Sequence, residues 1–197
     1  MSKLTTSGIT TVVGLFGTDG ISRSVKNLLS KAKALKQEGM NVYILSGSYQ
    51  YPSTTITGDI KKDIMFIDEI IGCKLALSDY RSTHISTTQL TMFASEVCVS
   101  ALLSNKPGIL IFHMGDEKSG LKKIFKILDK TDLSVALFHP THVTRNDKLL
   151  TDAIKLLKIG GYIDLNVDDN CLPAIKKIMD LNLSTKRVTI SSDGQGS

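Results

Sequence analysis

The chain has 197 residues, of which 42% are hydrophobic and 22% charged, and a net charge of +5. That apolar content excludes an intrinsically disordered chain, and with no run of about 18 apolar residues the sequence offers no membrane span. Tryptophan is absent and aromatics are 6%, which leaves few stacking platforms for nucleic acid despite the basic balance. The length suits a single domain over residues 1–197 with a sizeable core.

In chain order, Met1-Ser2-Lys3-Leu4 runs into polar Thr5, Thr6 and Ser7, where a signal peptide needs its apolar stretch. A first strand is expected in the apolar run from Gly8 to Leu15. Val25, Leu28, Leu29, Ala32 and Leu35 recur at helical spacing, closed by Gly39 as a cap. Asn41 to Leu45 predicts the second strand, and Ile60, Ile64, Ile67 and Ile71 predict a helix ending at Gly72. Further strands are expected at Lys74–Leu77, Ile109–Phe112, Val135–Phe138, Tyr162–Leu165 and Val188–Ile190. Helices are expected between them, at Thr87–Leu103, Leu121–Leu128, Lys148–Leu157 (closed by Gly160-Gly161) and Ala174–Leu181.

Seven strands alternating with six helices are what parallel strands with helical crossovers require. The strands are mostly continuous apolar runs, as in sheets covered on both faces. A doubly wound open sheet and a (β/α) barrel both satisfy this pattern. Polar residues follow the strands at six places, among them Thr18-Asp19, Ser48-Tyr49, Asp79-Tyr80-Arg81, His113, His142 and Asp193. An open sheet gathers ligands at one or two switch points, whereas a barrel gathers all its strand ends at one site, so the barrel is favoured.

His113, His142 and Asp193 are candidates for a metal set, because imidazole and carboxylate together suit zinc and related divalent ions. Lys74 sits inside an apolar strand, where a lysine must snorkel, pair or be modified. Arg81 and Arg145 suit a substrate bearing carboxylates, which a guanidinium grips through two hydrogen bonds. His84, in a polar loop, and His139, before a proline, are read as having no ligand role. The spacing Gly14-x-x-Gly17-x-x-Gly20 departs from the dinucleotide fingerprint, and no acidic ribose anchor follows the next strand. Cys73, Cys98 and Cys171, odd in number and far apart, read as thiols of a reducing compartment, so a cytoplasmic location is expected.

Five blocks carry a resemblance: Gly14-Leu15-Phe16-Gly17-Thr18-Asp19, Leu77-Ser78-Asp79-Tyr80-Arg81-Ser82, Phe112-His113-Met114-Gly115-Asp116, Pro140-Thr141-His142-Val143-Thr144-Arg145-Asn146 and Ser191-Ser192-Asp193-Gly194-Gln195-Gly196-Ser197. In that order they resemble the isoaspartyl (β-aspartyl) dipeptidases, metal-dependent (β/α)₈ TIM-barrel hydrolases of the amidohydrolase superfamily. The resemblance implies hydrolysis of the β-linked amide of isoaspartyl dipeptides by a zinc-activated hydroxide, with two zinc ions bridged by a carboxylated lysine at Lys74. It implies that His113 and His142 complete one metal's shell, and that Asp193 binds the other metal and serves as general base and acid. Tyr49 would polarise the scissile carbonyl, Arg81 and Arg145 would hold substrate carboxylates, and Thr18 and Ser197 would line the pocket. A small dipeptide substrate and a homo-oligomer are implied, with no nucleic-acid or membrane partner.

Against the family pattern, the His-x-His pair of the first barrel strand is absent from this sequence. Seven of eight strands are therefore expected, in an incomplete catalytic barrel that keeps the protein ligands of one metal site. Two alternatives stay open: a non-catalytic remnant with the same fold, and a cyclic-amide hydrolase of the same superfamily.

Overall fold

The computed structural model describes residues 2–194, with the side chains of Ser2 and Lys3 left aside. Seven strands run β1 (Thr11–Gly14), β2 (Asn41–Gly47), β3 (Ile70–Leu77), β4 (Ile109–Met114), β5 (Phe138–Thr141), β6 (Ile163–Asn166) and β7 (Val188–Ser191). A short helix α1 (Ser2–Thr6) precedes them, and α2 (Val25–Gln37), α3 (Ile60–Phe66), α4 (Thr87–Ser104), α5 (Lys122–Lys130), α6 (Asp147–Lys158) and α7 (Cys171–Asp180) alternate with the strands. No helix among the described residues is long and apolar enough to cross a membrane.

Helices α2, α3, α4 and α6 start where side chains replace missing backbone acceptors. Ser24, Asp59, Ser86 and Asn146 each accept a backbone N–H of the first turn, and Ser86 with Gln89 forms a reciprocal capping box. The third helix is shorter than its isoleucine spacing predicts. It stops at Phe66, and Ile67 is extended, because the β-branched run Ile70-Ile71 is claimed by β3, a strand buried along its whole length. Gly72 therefore caps no helix. It lies within β3 opposite Ile109, where a Cβ would come 2.0 Å from the Ile109 carbonyl oxygen, so glycine permits the close approach of β3 and β4. The fifth strand is likewise displaced. Val135–Leu137 form a 3₁₀ turn capped by the Ser134 hydroxyl, and β5 begins at Phe138.

Strands β1 to β5 form one parallel sheet in sequential order, β1-β2-β3-β4-β5. A doubly wound sheet reverses its strand order at a switch point; here there is none. Right-handed crossovers in one direction place the helices on one face, which is the arrangement of a barrel wall. Two-residue periodicity then sorts the side chains. Cys73, Leu75 and Leu77 of β3, Leu110, Phe112 and Met114 of β4, and Phe138 of β5 join the apolar core shared with the helices. Their neighbours Lys74, His113 and Thr141 face the other way, with Ala76, His113 and Thr141 in register across three strands.

Strands β6 and β7 pair separately as a parallel two-stranded sheet. Asp164 of β6 links that pair to the larger sheet. Its carboxylate accepts from Thr141 Oγ1 of β5 (2.7 Å), Thr189 Oγ1 (2.6 Å) and Ser191 Oγ (2.7 Å) of β7. Hydrogen bonds to a charged acceptor contribute more than neutral ones, and three hydroxyls would lose their acceptor together. Asp164→Ala is expected to cost about 2–4 kcal/mol of stability, read from urea unfolding; a loss below about 0.5 kcal/mol would show that the strands dock without it.

Candidate active site

Three strand ends place a non-glycine residue in the left-handed region: Ser78 after β3 (φ 53°), His142 after β5 (φ 62°) and Asp193 after β7 (φ 48°). Such residues cost about 1–3 kcal/mol each and persist where the surroundings hold them. Here they turn the chain so that the residues following the strands meet over one end of the partial barrel.

Lys74 and His113 point inward from β3 and β4 at 4% and 2% exposure. The His113 and His142 rings meet edge-on with centroids 4.4 Å apart. Tyr49 covers them: its hydroxyl is 2.6 Å from His113 Nδ1, its ring is 4.3 Å from the His113 ring, and Lys74 Nζ stands 5.2 Å from its centre. The loop carrying Tyr49 is anchored by Asp63, fully buried on α3, which accepts from Ser46 Oγ and from the Ile56 and Thr57 amides. It is also tied to the Arg81 loop, through Thr83 Oγ1 donating to Gln50 Oε1 and accepting from the Tyr51 amide.

Arg81 packs over Tyr49 at 5.0 Å and reaches Thr18 Oγ1 at 3.4 Å, so Thr18, Tyr49 and Arg81 share one wall. Its guanidinium is held by Asp79, 2% exposed, through contacts of 2.7 and 2.9 Å. Arg145 extends from the His142 loop, where Asp116 lies 3.9 Å away, and its charge reaches His113 and His142. Asp193 acts on Lys74 and His142 from the end of β7. Of the residues expected from the sequence, Thr18, Tyr49, Lys74, Arg81, His113, His142, Arg145 and Asp193 are thus brought together, while Ser197 lies outside the described residues. His84 instead meets Glu117 at the surface (2.8 Å), and His139 stacks on Tyr162 and donates to the Ala136 carbonyl.

The electrostatics follow from burial among like charges. Burial lowers the Lys74 pKa to about 8, with Asp193 working in the opposite sense. Burial, then the nearby His142, Arg145 and Lys74, lowers His113 to about 3 against the pull of Asp79. His142 is lowered for the same first reason. Hydrogen bonds from Arg81 hold the Asp79 carboxyl far below its ordinary range. The two imidazoles are therefore neutral at neutral pH, and the amine has a larger uncharged fraction than an exposed lysine.

Among the described residues no three His, Cys, Asp or Glu side chains gather into a group able to hold a metal ion, so His113, His142 and Asp193 do not by themselves make the metal set expected from the sequence. The two neutral imidazoles would gain an anionic third donor from Lys74 if its amine were carboxylated. Donor chemistry agrees with that requirement: the amine is buried, and lone pairs on neutral histidines are what a divalent ion needs.

Three residues of the site had no role assigned from sequence. Asp79 was visible only as an acid two places before an arginine. Asp164 gave no signal within an apolar strand. Asn166, whose buried Oδ1 has no hydrogen-bond partner within 3.5 Å among the described residues, lies beside His142.

No family model matches the sequence. Among solved structures, β-aspartyl dipeptidase from the thermophilic, keratin-degrading Fervidobacterium islandicum AW-1 aligns at 41% identity and a TM-score of 0.93, over 96% of this chain and 53% of that one. The β-aspartyl dipeptidase of the same organism in complex with the β-Asp-Leu dipeptide aligns at 42% identity and 0.93, over 97% and 52%. The TatD-like protein of Archaeoglobus fulgidus, at 19% identity and 0.56 over 97% of this chain and 78% of that one, shares the fold alone. The chain spans about half the length of the dipeptidases it matches.

Proposed function

We propose that this chain, a relative of the β-aspartyl dipeptidases, is a partial-barrel, zinc-dependent hydrolase acting on the β-linked amide of isoaspartyl dipeptides. The observation that carries this reading is the convergence of Lys74, His113 and His142 with two arginines over one end of the partial barrel.

Lys74 Nζ, in its neutral form, would attack the carbon of carbon dioxide and lose a proton, giving a carbamate. That group offers a carboxylate-like donor on a longer arm than Asp or Glu. With His113 and His142 it would hold one zinc ion; the remaining histidines, His84 and His139, are engaged elsewhere. When bound, zinc lowers the pKa of water from 15.7 to about 7 and polarises a carbonyl oxygen. Arg81 and Arg145 would hold the two carboxylates of the dipeptide. The Tyr49 hydroxyl would donate to the scissile carbonyl oxygen. Asp193 would take a proton from the attacking water and deliver it to the leaving amine. Thr18, and by the resemblance Ser197, would line the pocket.

The remaining parts of the proposal are a single partial barrel domain over residues 1–197, a cytoplasmic location and a homo-oligomer. Free thiols at Cys73, Cys98 and Cys171 support the second. Exposed Met92, Val99, Leu102 and Leu103 on α4 support the third.

The test is release of leucine from β-aspartyl-leucine after incubation with zinc and bicarbonate, beside zinc per chain by mass spectrometry. We expect one zinc per chain and hydrolysis that a chelator stops. No bound zinc and no turnover would favour the non-catalytic remnant. Turnover of a cyclic amide alone would favour the other superfamily chemistry.

A further inference from the structure

We propose that Asp79 is a positioning residue that couples the metal shell to the grip on the substrate, because one buried carboxylate sets both the tautomer of His113 and the orientation of Arg81. The inference rests on the functional reading above and concerns a residue to which that reading gives no role.

Asp79 lies two residues after β3 and is 2% exposed. The β4 loop passes directly over it: a Cβ on Gly115 would come 2.5 Å from Asp79 Cα. Its Oδ1 accepts from the Arg81 amide (2.8 Å) and Nε (2.9 Å). Its Oδ2 accepts from Arg81 Nη2 (2.7 Å) and stands 3.1 Å from His113 Nε2. A guanidinium so gripped presents a fixed edge, and its Nη1, turned toward Thr18, remains for a substrate carboxylate.

His113 Nε2 is also 3.1 Å from Arg81 Nη2. The two contacts need opposite tautomers. A guanidinium only donates, so it bonds Nε2 only where that atom carries a lone pair; an ionised carboxylate only accepts, so it bonds Nε2 only where that atom carries a proton. Nη2, Oδ2 and Nε2 form a near-equilateral triangle, whereas the two hydrogens on Nη2 diverge by about 120°, so Nη2 cannot aim squarely at both. Its donor goes to Asp79 at the shorter distance, which leaves Nε2–H to complete the Oδ2 contacts. In the metal-free chain the lone pair then sits on Nδ1, where it accepts from the Tyr49 hydroxyl; a bound metal would take that lone pair in place of the hydroxyl. Metal-binding histidines commonly donate their second N–H to a carboxylate, and loss of that partner costs about 10- to 100-fold in affinity or activity.

The first measurement uses the unaltered, metal-free chain: ¹⁵N NMR of the histidine rings, with His113→Gln to assign the resonance. An Nε2–H tautomer at His113 is expected; an Nδ1–H tautomer overturns the proposal even if Asp79→Asn fails to fold. The second compares zinc affinity, by competition with a chromophoric chelator, and KM for β-aspartyl-leucine. Asp79→Asn should weaken zinc by about 10- to 100-fold and raise KM about tenfold or more. Arg81→Met should raise KM alone, leaving zinc within threefold. Asp79→Asn with both quantities within threefold of the unaltered chain, or with only a lowered melting temperature, overturns the coupling while the dipeptidase reading stands. Failure of the unaltered chain to bind zinc would overturn both.

Discussion

Replacing Lys74 by methionine should abolish hydrolysis of β-aspartyl-leucine and at the same time stabilise the metal-free chain at pH 7. The two effects have one origin. Burial favours the neutral amine and brings its pKa to about 8 from an unfolded value of 10.5. At pH 7.4 about one amine in five is then uncharged, far more than for an exposed lysine, and only that form takes up carbon dioxide. Folding must meanwhile bury or deprotonate a charge. The cost is about 3 kcal/mol at most, and methionine of similar shape removes it.

The pH dependence separates this from a packing effect. Between pH 8 and 10.5 the unfolded chain holds the Lys74 proton and the folded chain does not, so stability of the unaltered chain rises with pH across that window. The advantage of Lys74→Met should therefore be full below pH 8, shrink through the window and vanish above it. Urea unfolding at pH 7 and pH 10.5, without metal or bicarbonate, reads it directly. A variant that is less stable at pH 7, or that still hydrolyses the dipeptide, would remove Lys74 from the role assigned to it.

Phe112→Ala should cause the largest loss of stability. The ring is fully buried in β4, stacked on Phe138 with centroids 6.1 Å apart, and belongs to the core between the sheet and the helices. Truncating such a side chain costs about 3–5 kcal/mol, a large part of the roughly 5–15 kcal/mol available to a native domain. The expected signature is a lower urea midpoint with an unchanged slope. Phe112→Leu, which keeps most of the volume, should lose about 1.5 kcal/mol or less. His113 is the next residue, so dipeptide hydrolysis should fall with the folded fraction in the alanine variant. A loss below about 1 kcal/mol would mean that the β4–β5 contact is peripheral to the core.

Much of this was legible in the chain itself. The alternation of apolar strands and amphipathic helices is a local pattern, and each period shows in the residues that carry it. Lys74 stood out because a lysine amid apolar neighbours must snorkel, pair or be modified. The strand-end motifs with His113, His142, Arg81, Arg145 and Asp193 stood out because catalytic residues of a barrel cluster after its strands. The isoleucine spacing around Ile67 and Ile71 misled because short apolar runs fit helix and strand alike. Pairing of Ile70–Leu77 with two neighbouring strands decided the matter.

The sequence by itself determined the fold class, the family resemblance and the candidate site residues, since these depend on which residues occur and at what spacing. Only the tertiary structure decided the assignments of Asp79, Asp164 and Asp63. Each acts through partners far along the chain: Asp79 on His113, Asp164 on Thr141 and Ser191, and Asp63 on Ser46. An isolated aspartate in a sequence has the same appearance whether it is solvated or buried among donors. Its partners are chosen by strand register and loop path, and those exist only once the chain has folded.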